Sequence, residues 1–168
     1  MAAWCVTSAP LILGFDLTNA TLMDKLYPII ANPRVVAINQ AWAGHPGRLV
    51  SNASETFVAP TAHGAGSTCG AGAKRPCENV TFPVTQIWTK PLPANATSGR
   101  ARQAVLVINL SPKEQEGLTI DLKQLGLGGW EGATAMEVWS GAELGRVNPI
   151  ESFRLQAHES RFLVLTSA

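Results

Sequence analysis

The run QAVLVINL at residues 103–110 decides the fold of this chain. Six of its eight residues are apolar, it contains neither Gly nor Pro, and strand-favouring Val and Ile are prominent. A strand that is apolar on both faces is typical of one buried between two layers. Residues 103–110 therefore predict a buried strand.

Four other short runs have the character of strands. Residues 85–90 (TQIWTK) alternate between apolar and polar side chains, and residues 118–122 (LTIDL) alternate strictly. Residues 134–139 and 161–166 complete the series. Strands at this spacing, separated by turns rich in Gly, Pro and Asn, indicate an antiparallel β-sandwich.

The chain before residue 47 has a different residue pattern, which predicts helices and a buried strand. Residues 9–16 (APLILGFD) form an almost continuous apolar run closed by Asp16, which predicts a parallel strand buried between helices or inside a barrel. Thr18 or Asn19 can then cap a helix. The apolar face of that helix would comprise Leu22, Met23, Leu26, Ile29 and Ile30.

Prolines and glycines interrupt the regular elements of the same region. Pro28 falls inside the predicted helix, which we therefore expect to be short or kinked. The pair at residues 32–33 (NP) breaks the pattern, and residues 34–40 (RVVAINQ) form a second compact apolar element. Residues 44–47 (GHPG) then make a turn-rich joint.

The joint divides the chain into two predicted pieces, residues 1–46 and residues 47–168. One strand and one helix cannot bury their apolar surface alone, and a strand that is apolar on both sides needs neighbours. We therefore interpret residues 1–46 as a piece of a larger α/β structure. Residues 47–168 are interpreted as an antiparallel β-sandwich domain.

Three blocks before residue 41 are similar to a known family. Residues 4–5 (WC), 9–17 (APLILGFDL) and 35–40 (VVAINQ) resemble, in order and spacing, the last strand and helix of the TIM barrel of glycoside hydrolase family 27. That family includes α-galactosidases (melibiases) and α-N-acetylgalactosaminidases. The resemblance implies the final unit of a (β/α)8 barrel followed by the family's C-terminal β-sandwich.

The second half of the chain resembles the same family more loosely. Residues 87–92 (IWTKPL) and 104–109 (AVLVIN) look like its early sandwich strands. Residues 137–140 (EVWS), followed by residues 144–145 (LG), resemble a later strand that carries a Trp.

The resemblance implies a retaining glycosidase that removes terminal α-galactosyl residues with one Asp as nucleophile and another as acid/base. In the family both lie on earlier barrel strands, so no catalytic residue is assigned here and the chain alone is expected to be inactive. Asp16, at the end of a predicted strand, is the one carboxylate with a route to the active face of a barrel. A helix-capping or loop-bracing role for Asp16 is nevertheless favoured.

Two non-catalytic alternatives stay open. The chain could be a structural or interaction subunit derived from a truncated paralogue, with its barrel edge docked on a partner. It could also be a free sugar-binding sandwich that uses Trp88, Trp130 and Trp139, although packing roles are favoured for these side chains. The expected partner is an upstream barrel chain or another protein that covers the barrel edge. An α-galactoside is expected to bind only to the complete enzyme.

Five Asn-x-Ser/Thr triplets, the acceptor sequence for N-glycosylation, suggest a secretory route with a lysosomal, vacuolar or extracellular destination. Chance would give roughly one such triplet among eight asparagines. The candidate sites are Asn19, Asn52, Asn79 and Asn95, and the triplet at Asn109 is the weakest because it ends a predicted buried strand. The start of the chain lacks the basic region of a secretory signal.

Cys69 and Cys77 flank a Gly-rich segment and are candidates for a short disulfide loop, with free thiols as the alternative. A metal site is disfavoured because there is no CxxC pair and His63 has no second histidine at ligand spacing. Cys5 is interpreted as a small buried apolar residue.

Composition excludes several function classes. The chain has 168 residues, 15% of them charged, and a formal net charge of +1. Its basic residues are scattered, which argues against nucleic acid or an anionic membrane as a partner. No apolar run reaches the length of a membrane span. No motif calls for a cofactor, and the Gly-rich run at residues 126–129 is not a phosphate-binding loop.

Overall fold

The computed structural model describes residues 1–62, 77–147 and 150–168. They form a mostly-β fold with helices before the first strand. The helices are α1 (Ala2–Val6), α2 (Ala20–Ile30) and α3 (Pro33–Gln40). The strands are β1 (Arg48–Asn52), β2 (Thr56–Ala62), β3 (Cys77–Pro83), β4 (Thr85–Leu92), β5 (Arg102–Asn109), β6 (Gln115–Ile120), β7 (Ala133–Glu137), β8 (Glu143–Val147), β9 (Ile150–Leu155) and β10 (Ser160–Ser167).

The strands form one large sheet and two hydrogen-bonded pairs. The six-stranded sheet has the order β1-β4-β5-β10-β7-β8, while β2 pairs with β3 and β6 with β9. Every one of these pairings is antiparallel. The predicted antiparallel architecture is confirmed, and the five predicted strands overlap β4, β5, β6, β7 and β10.

Apolar cores lie on both faces of the six-stranded sheet, because side chains alternate along the central strands. In β5, Val105 and Val107 face the β6–β9 pair, whereas Ala104 and Leu106 face α1 and α3. β10 alternates in the same way and contributes Leu163 to the first core and Phe162 to the second. Burial on both faces explains why residues 103–110 are almost continuously apolar.

The prediction of a strand at residues 9–16 is wrong. These residues form no regular element, and Ile12 and Leu13 are exposed. A strand is stabilised by hydrogen bonds to neighbouring strands, and none of the described strands runs beside this segment. A TIM-barrel unit is therefore not evident in this chain.

α1 was not predicted. Its end forms a Schellman motif, in which the Ser8 N–H donates to the Cys5 carbonyl and the Ala9 N–H to the Trp4 carbonyl. Ser8 occupies the left-handed position of this motif, with φ 56°.

The predicted helix after residue 18 is confirmed, whereas the predicted break at residues 32–33 is the start of a second helix. Asn19 caps α2 by accepting a hydrogen bond from the Leu22 N–H at 3.0 Å. Pro28 lies near the end of α2, which has only eleven residues. Asn32 caps α3 and Pro33 occupies its first turn, so residues 34–40 are helical.

Residues 1–46 share a core with the sheet, because α1 and α3 contribute Val6, Val35 and Ile38 to the second cluster. The joint at residues 44–47 brings the chain close to the end of α1, where the Gly47 N–H donates to the Val6 carbonyl at 2.8 Å. A Cβ at Gly47 would lie 2.4 Å from that oxygen, so only glycine fits. The boundary between residues 46 and 47 stays a prediction.

Arg34 fastens the first turn of α3 to the sheet. Its Nε donates to the Val138 carbonyl at 2.7 Å and its Nη2 to the Trp139 carbonyl at 2.8 Å. Gly141 lies directly against this guanidinium, and a Cβ there would approach Cζ and Nη1 of Arg34 to 2.9 Å. Gly141 also has a φ of +77°, which disfavours other residues.

Two glycines with similar backbone conformations test whether these Arg34 contacts, called here the Arg34 clamp, stabilise the fold. Gly141→Ala and Gly145→Ala impose the same left-handed strain of about 1–2 kcal/mol, since Gly145 has a φ of +75° but no atom near its Cβ position. Gly141→Ala should lower the free energy of unfolding by about 1–3 kcal/mol more, because its methyl group displaces Arg34. Urea denaturation measures the difference.

The control is the same pair of substitutions in an Arg34→Ala background. The extra cost of Gly141→Ala should disappear there. Equal costs for the two alanines in the wild-type background would contradict the clamp.

Candidate functional site

An apolar groove lies between α1, the irregular segment after it, and α2. Its volume is about 630 Å³, and every lining side chain is apolar or aromatic. Several are strongly exposed: Ile12 is 78% exposed, Tyr27 61% and Trp4 56%. The groove therefore offers apolar contact and no charged side chain that could bind or activate a polar substrate.

The apolar face of α2 forms one wall of this groove, and none of the residues of α2 is buried. The helix has eleven residues. An isolated helix of this length is only marginally stable in water, and its stability usually comes from packing of its apolar face. A contiguous exposed apolar surface of this kind typically marks an interface.

Asp16 braces the turn before α2. Its Oδ1 accepts hydrogen bonds from the Thr18 N–H at 2.9 Å and the Thr18 hydroxyl at 2.7 Å. These two bonds hold the pKa of Asp16 below its usual value. Asp16 is fully exposed to solvent, and its oxygen serves local structure, as the favoured interpretation of the sequence proposed.

Lys90 is a buried cation that the sequence analysis did not identify. Its side chain is fully buried, and its Nζ donates to the carbonyls of Ile38, Asn39 (3.1 Å) and Cys5 (3.4 Å). The first two carbonyls belong to the last turn of α3, where helical carbonyls lack partners. One signal was available in the sequence. Lys90 and Leu92 are two residues apart on β4 and therefore share a face of the strand, and Leu92 faces the helices.

A buried lysine is often catalytic, but these partners assign Lys90 a structural role. Burial lowers the pKa of the Lys90 ammonium, while the neighbouring Cys5 acts in the opposite direction. All three acceptors are backbone carbonyls, so Nζ closes a helix end. Cys5 is fully buried, as predicted, and burial raises the pKa of its thiol.

The tryptophans that were candidates for sugar binding are packing residues. Trp88 and Trp139 are half-buried against the core on the helix side, and Trp130 is half-buried against the opposite core. Two exposed tryptophans, Trp4 and Trp42, were not among these candidates. Trp4 lines the apolar groove.

The glycosylation triplets differ in accessibility. Asn19, Asn52 and Asn79 are exposed, and Asn95 is half-buried in an exposed turn. Asn109 is fully buried, and its amide donates to the carbonyls of residues 113, 155 and 156. The structure thus removes Asn109 as an acceptor, and use of the other four stays a prediction.

Cys77 begins β3, whereas Cys69 and His63 lie outside the described residues, so the disulfide stays a prediction. Across residues 1–62, 77–147 and 150–168, no three His, Cys, Asp or Glu side chains converge as a metal site requires. Within the same ranges, no helix has the length and apolar content to span a membrane.

Residues 84–165 match the family model described as "Alpha galactosidase C-terminal beta sandwich domain". This match begins at the residue before β4 and ends within β10. No curated protein matched the sequence.

Solved glycosidase structures resemble the whole chain in fold. α-Galactosidase I from Mortierella vinacea is 21% identical with a TM-score of 0.67, and the likeness covers 99% of this chain and 35% of that one. α-Galactosidase from Saccharomyces cerevisiae is 15% identical with a TM-score of 0.65, covering 99% and 42%. A family 27 β-L-arabinopyranosidase from Geobacillus stearothermophilus is 22% identical with a TM-score of 0.62, covering 99% and 28%. The chain thus spans 28 to 42% of the length of these proteins.

The variant Lys90→Met tests whether the Lys90 ammonium stabilises the fold through its bonds to the carbonyls of α1 and α3. Methionine keeps most of the apolar volume but leaves buried carbonyls without a donor, each at a cost of about 1–3 kcal/mol. We expect the free energy of unfolding to fall by about 2–4 kcal/mol in urea denaturation. The exposed control Lys113→Met should change it by no more than about 0.5 kcal/mol. Equal stability of the two variants would exclude this role of Lys90.

The same variant gives a pH dependence. Because burial lowers the pKa of Lys90 from its ordinary 10.5, the unfolded chain binds more protons between the lowered pKa and 10.5. The penalty for burying the charged form is therefore fully present below the folded pKa and is relieved as the pH rises toward the unfolded pKa. Relative to Lys90→Met, the wild-type free energy of unfolding should rise as the pH increases from the lowered pKa of Lys90 toward 10.5. A flat or falling difference would show that burial does not disfavour the ammonium.

Ile12→Lys tests the exposed groove. Ile12 is 78% exposed, so a lysine should change the free energy of unfolding by less than about 0.5 kcal/mol. It should nevertheless reduce the fluorescence of an uncharged hydrophobic dye such as Nile red and reduce self-association, because it places a charge in the groove. Val58→Lys on β2, at a position 61% exposed, is the control and should leave both readouts unchanged. Equal loss of dye binding in the two variants would contradict the assignment.

Proposed function

We propose that this chain, whose residues 84–165 match the alpha galactosidase C-terminal beta sandwich domain model, forms the C-terminal portion of a retaining glycoside hydrolase. The proposed reaction is removal of terminal α-galactosyl residues. The chain itself lacks the catalytic Asp pair, which belongs to a barrel that precedes it. Its own contribution is to complete and stabilise that barrel.

The observation that carries this proposal is the apolar groove of about 630 Å³ on the outer side of the helices. α1 and α3 cover the sheet with one face, and the segment around α1 and α2 turns a second apolar face outward. A preceding barrel would bury this second face. The fold likeness to complete glycosidases extends over 99% of the chain and thus includes the helices.

A second candidate is a non-catalytic structural or interaction subunit. Lys90 and Arg34 fasten α3 to the sheet at both ends, so the groove is presented by a unit with its own core. Such a unit can dock on a partner without taking part in chemistry. In both candidates the partner is a barrel chain or another protein that covers the groove.

The proposed location is the secretory route, ending in a lysosome, a vacuole or the extracellular space. Its support is the set of accessible triplets at Asn19, Asn52 and Asn79, together with the turn at Asn95. The location and the glycosidase assignment rest on different observations and can fail separately.

Activity and mass together test the proposal. We expect the chain alone to show no hydrolysis of a nitrophenyl α-galactoside, because the carboxylate pair is absent. The native protein, measured by intact mass with its co-purifying partners, should contain a barrel with two essential aspartates and should be active. Ile12→Lys should weaken that assembly at least tenfold, whereas Val58→Lys should not.

Each alternative result has a distinct meaning. Hydrolysis by the chain alone would contradict an upstream catalytic pair. An inactive assembly with an unrelated protein on the groove would favour the interaction subunit. A native monomer of this chain alone, with neither a preceding barrel nor a bound partner, would contradict both candidates.

A further inference from the structure

We propose that Asn95 carries an N-linked glycan and that its first N-acetylglucosamine lies in a polar groove beside it. This polar groove has a volume of about 390 Å³, and its polar lining side chains are those of Asn95, Ser98, Arg100, Arg102, Thr134, Glu143 and Thr166. The proposal depends on the secretory location and is independent of glycosidase activity.

The turn that holds Asn95 presents an acceptor nitrogen. Asn95 Oδ1 accepts hydrogen bonds from the N–H groups of Thr97 and Ser98, each at 3.0 Å. No hydrogen bond involves Asn95 Nδ2 within the described residues. Thr97, the third residue of the triplet, is exposed. The amide oxygen is thus fixed while the nitrogen stays available, in contrast to Asn109, whose Nδ2 is buried and bonded.

The floor of the polar groove is a row of side chains across adjacent strands. Arg102 on β5 is paired with Thr166 on β10, which is paired with Thr134 on β7. All three are half-buried. No side-chain hydrogen bond or ion pair is made by these three residues, or by Glu143, within the described part of the chain. Their polar atoms face the open groove and are not used within the protein, so they are available to hydrogen-bond a ligand there.

The chemistry of an amino sugar matches this lining. A guanidinium such as that of Arg102 donates to hydroxyl and acetamide oxygens, and the Glu143 carboxylate accepts from hydroxyl groups. Met136 and Val164 form an apolar end of the same groove, where the acetamide methyl can pack. The volume lies within the usual range for a small-ligand site, roughly 300–1,000 Å³.

The attachment reaction needs one co-reactant, an oligosaccharide linked to a lipid diphosphate. Nδ2 of Asn95 forms a bond to the anomeric carbon as the bond from that carbon to the diphosphate oxygen breaks. The lipid diphosphate leaves with the electron pair, and Nδ2 loses one proton. No oxidant or reductant is required.

The test compares Thr97→Ala with the wild-type chain, both secreted from a eukaryotic host. Thr97→Ala removes the acceptor triplet but keeps Asn95 and both backbone donors. Peptide mass mapping after glycosidase release in isotope-labelled water should show Asn95 occupied in the wild type only. Loss of this glycan should lower Tm by about 2–4 °C, whereas trimming it to one N-acetylglucosamine should not.

Three controls sharpen the result. Thr81→Ala, which removes the triplet at the exposed Asn79, should leave Tm unchanged. Wild type and Thr97→Ala made in a host without N-glycosylation should have equal Tm. Glu143→Ala, at an exposed position in the polar groove, should reduce the glycan-dependent difference in Tm by at least half.

Two results would overturn the proposal. An unoccupied Asn95 would exclude modification, and occupancy of Asn79 in the same sample would show that the secretory route itself is intact. An occupied Asn95 whose removal leaves Tm unchanged would exclude docking in the polar groove.

Discussion

The arrangement of the helices depends on one buried ammonium group. Lys90 reaches from β4 to the last carbonyls of α3 and to the end of α1, and no carboxylate balances its charge in these contacts. The C-terminal end of α3 stabilises the positive charge instead, because its last carbonyls have no partner within the helix and the helix dipole is negative there. Arg34 holds the opposite end of α3. With both ends fixed, α3 can orient only one face toward the sheet.

That constraint determines which surface of the molecule stays open. The face of α3 that carries Val35 and Ile38 joins the core beneath the sheet. The outer side of α1, the segment after it and α2 then have no sheet to cover. Their apolar side chains form the groove, and burying them is the strongest remaining driving force for association. The functional proposal thus follows from packing, and the family match supplies the chemistry of the expected partner.

Much of the fold could be predicted because its signals are local. The central strands are apolar on both faces, and Asn19 marks the start of α2. Asn32 and Pro33 were interpreted only as a break, although they begin α3. Residues 9–16 have the composition of a strand, but strand formation depends on neighbours that lie outside their own sequence. Lys90 was missed because a lysine in an alternating run normally points to solvent. The apolar groove could be anticipated only as an unburied surface, since its shape depends on how α1 ends and where α2 lies.

Native-state hydrogen exchange of the isolated chain tests the central claim, that α3 is locked to the sheet while α2 awaits a partner. The account predicts that amides of α3 exchange with the same free energy as amides of β5 and β10. It also predicts that amides of α2 exchange far faster through local opening, because none of its residues is buried. If amides of α3 exchanged together with those of α2, before those of the sheet, Lys90 and Arg34 would not fix α3 to the sheet. The proposed interface at the apolar groove, which depends on that arrangement, would be contradicted as well.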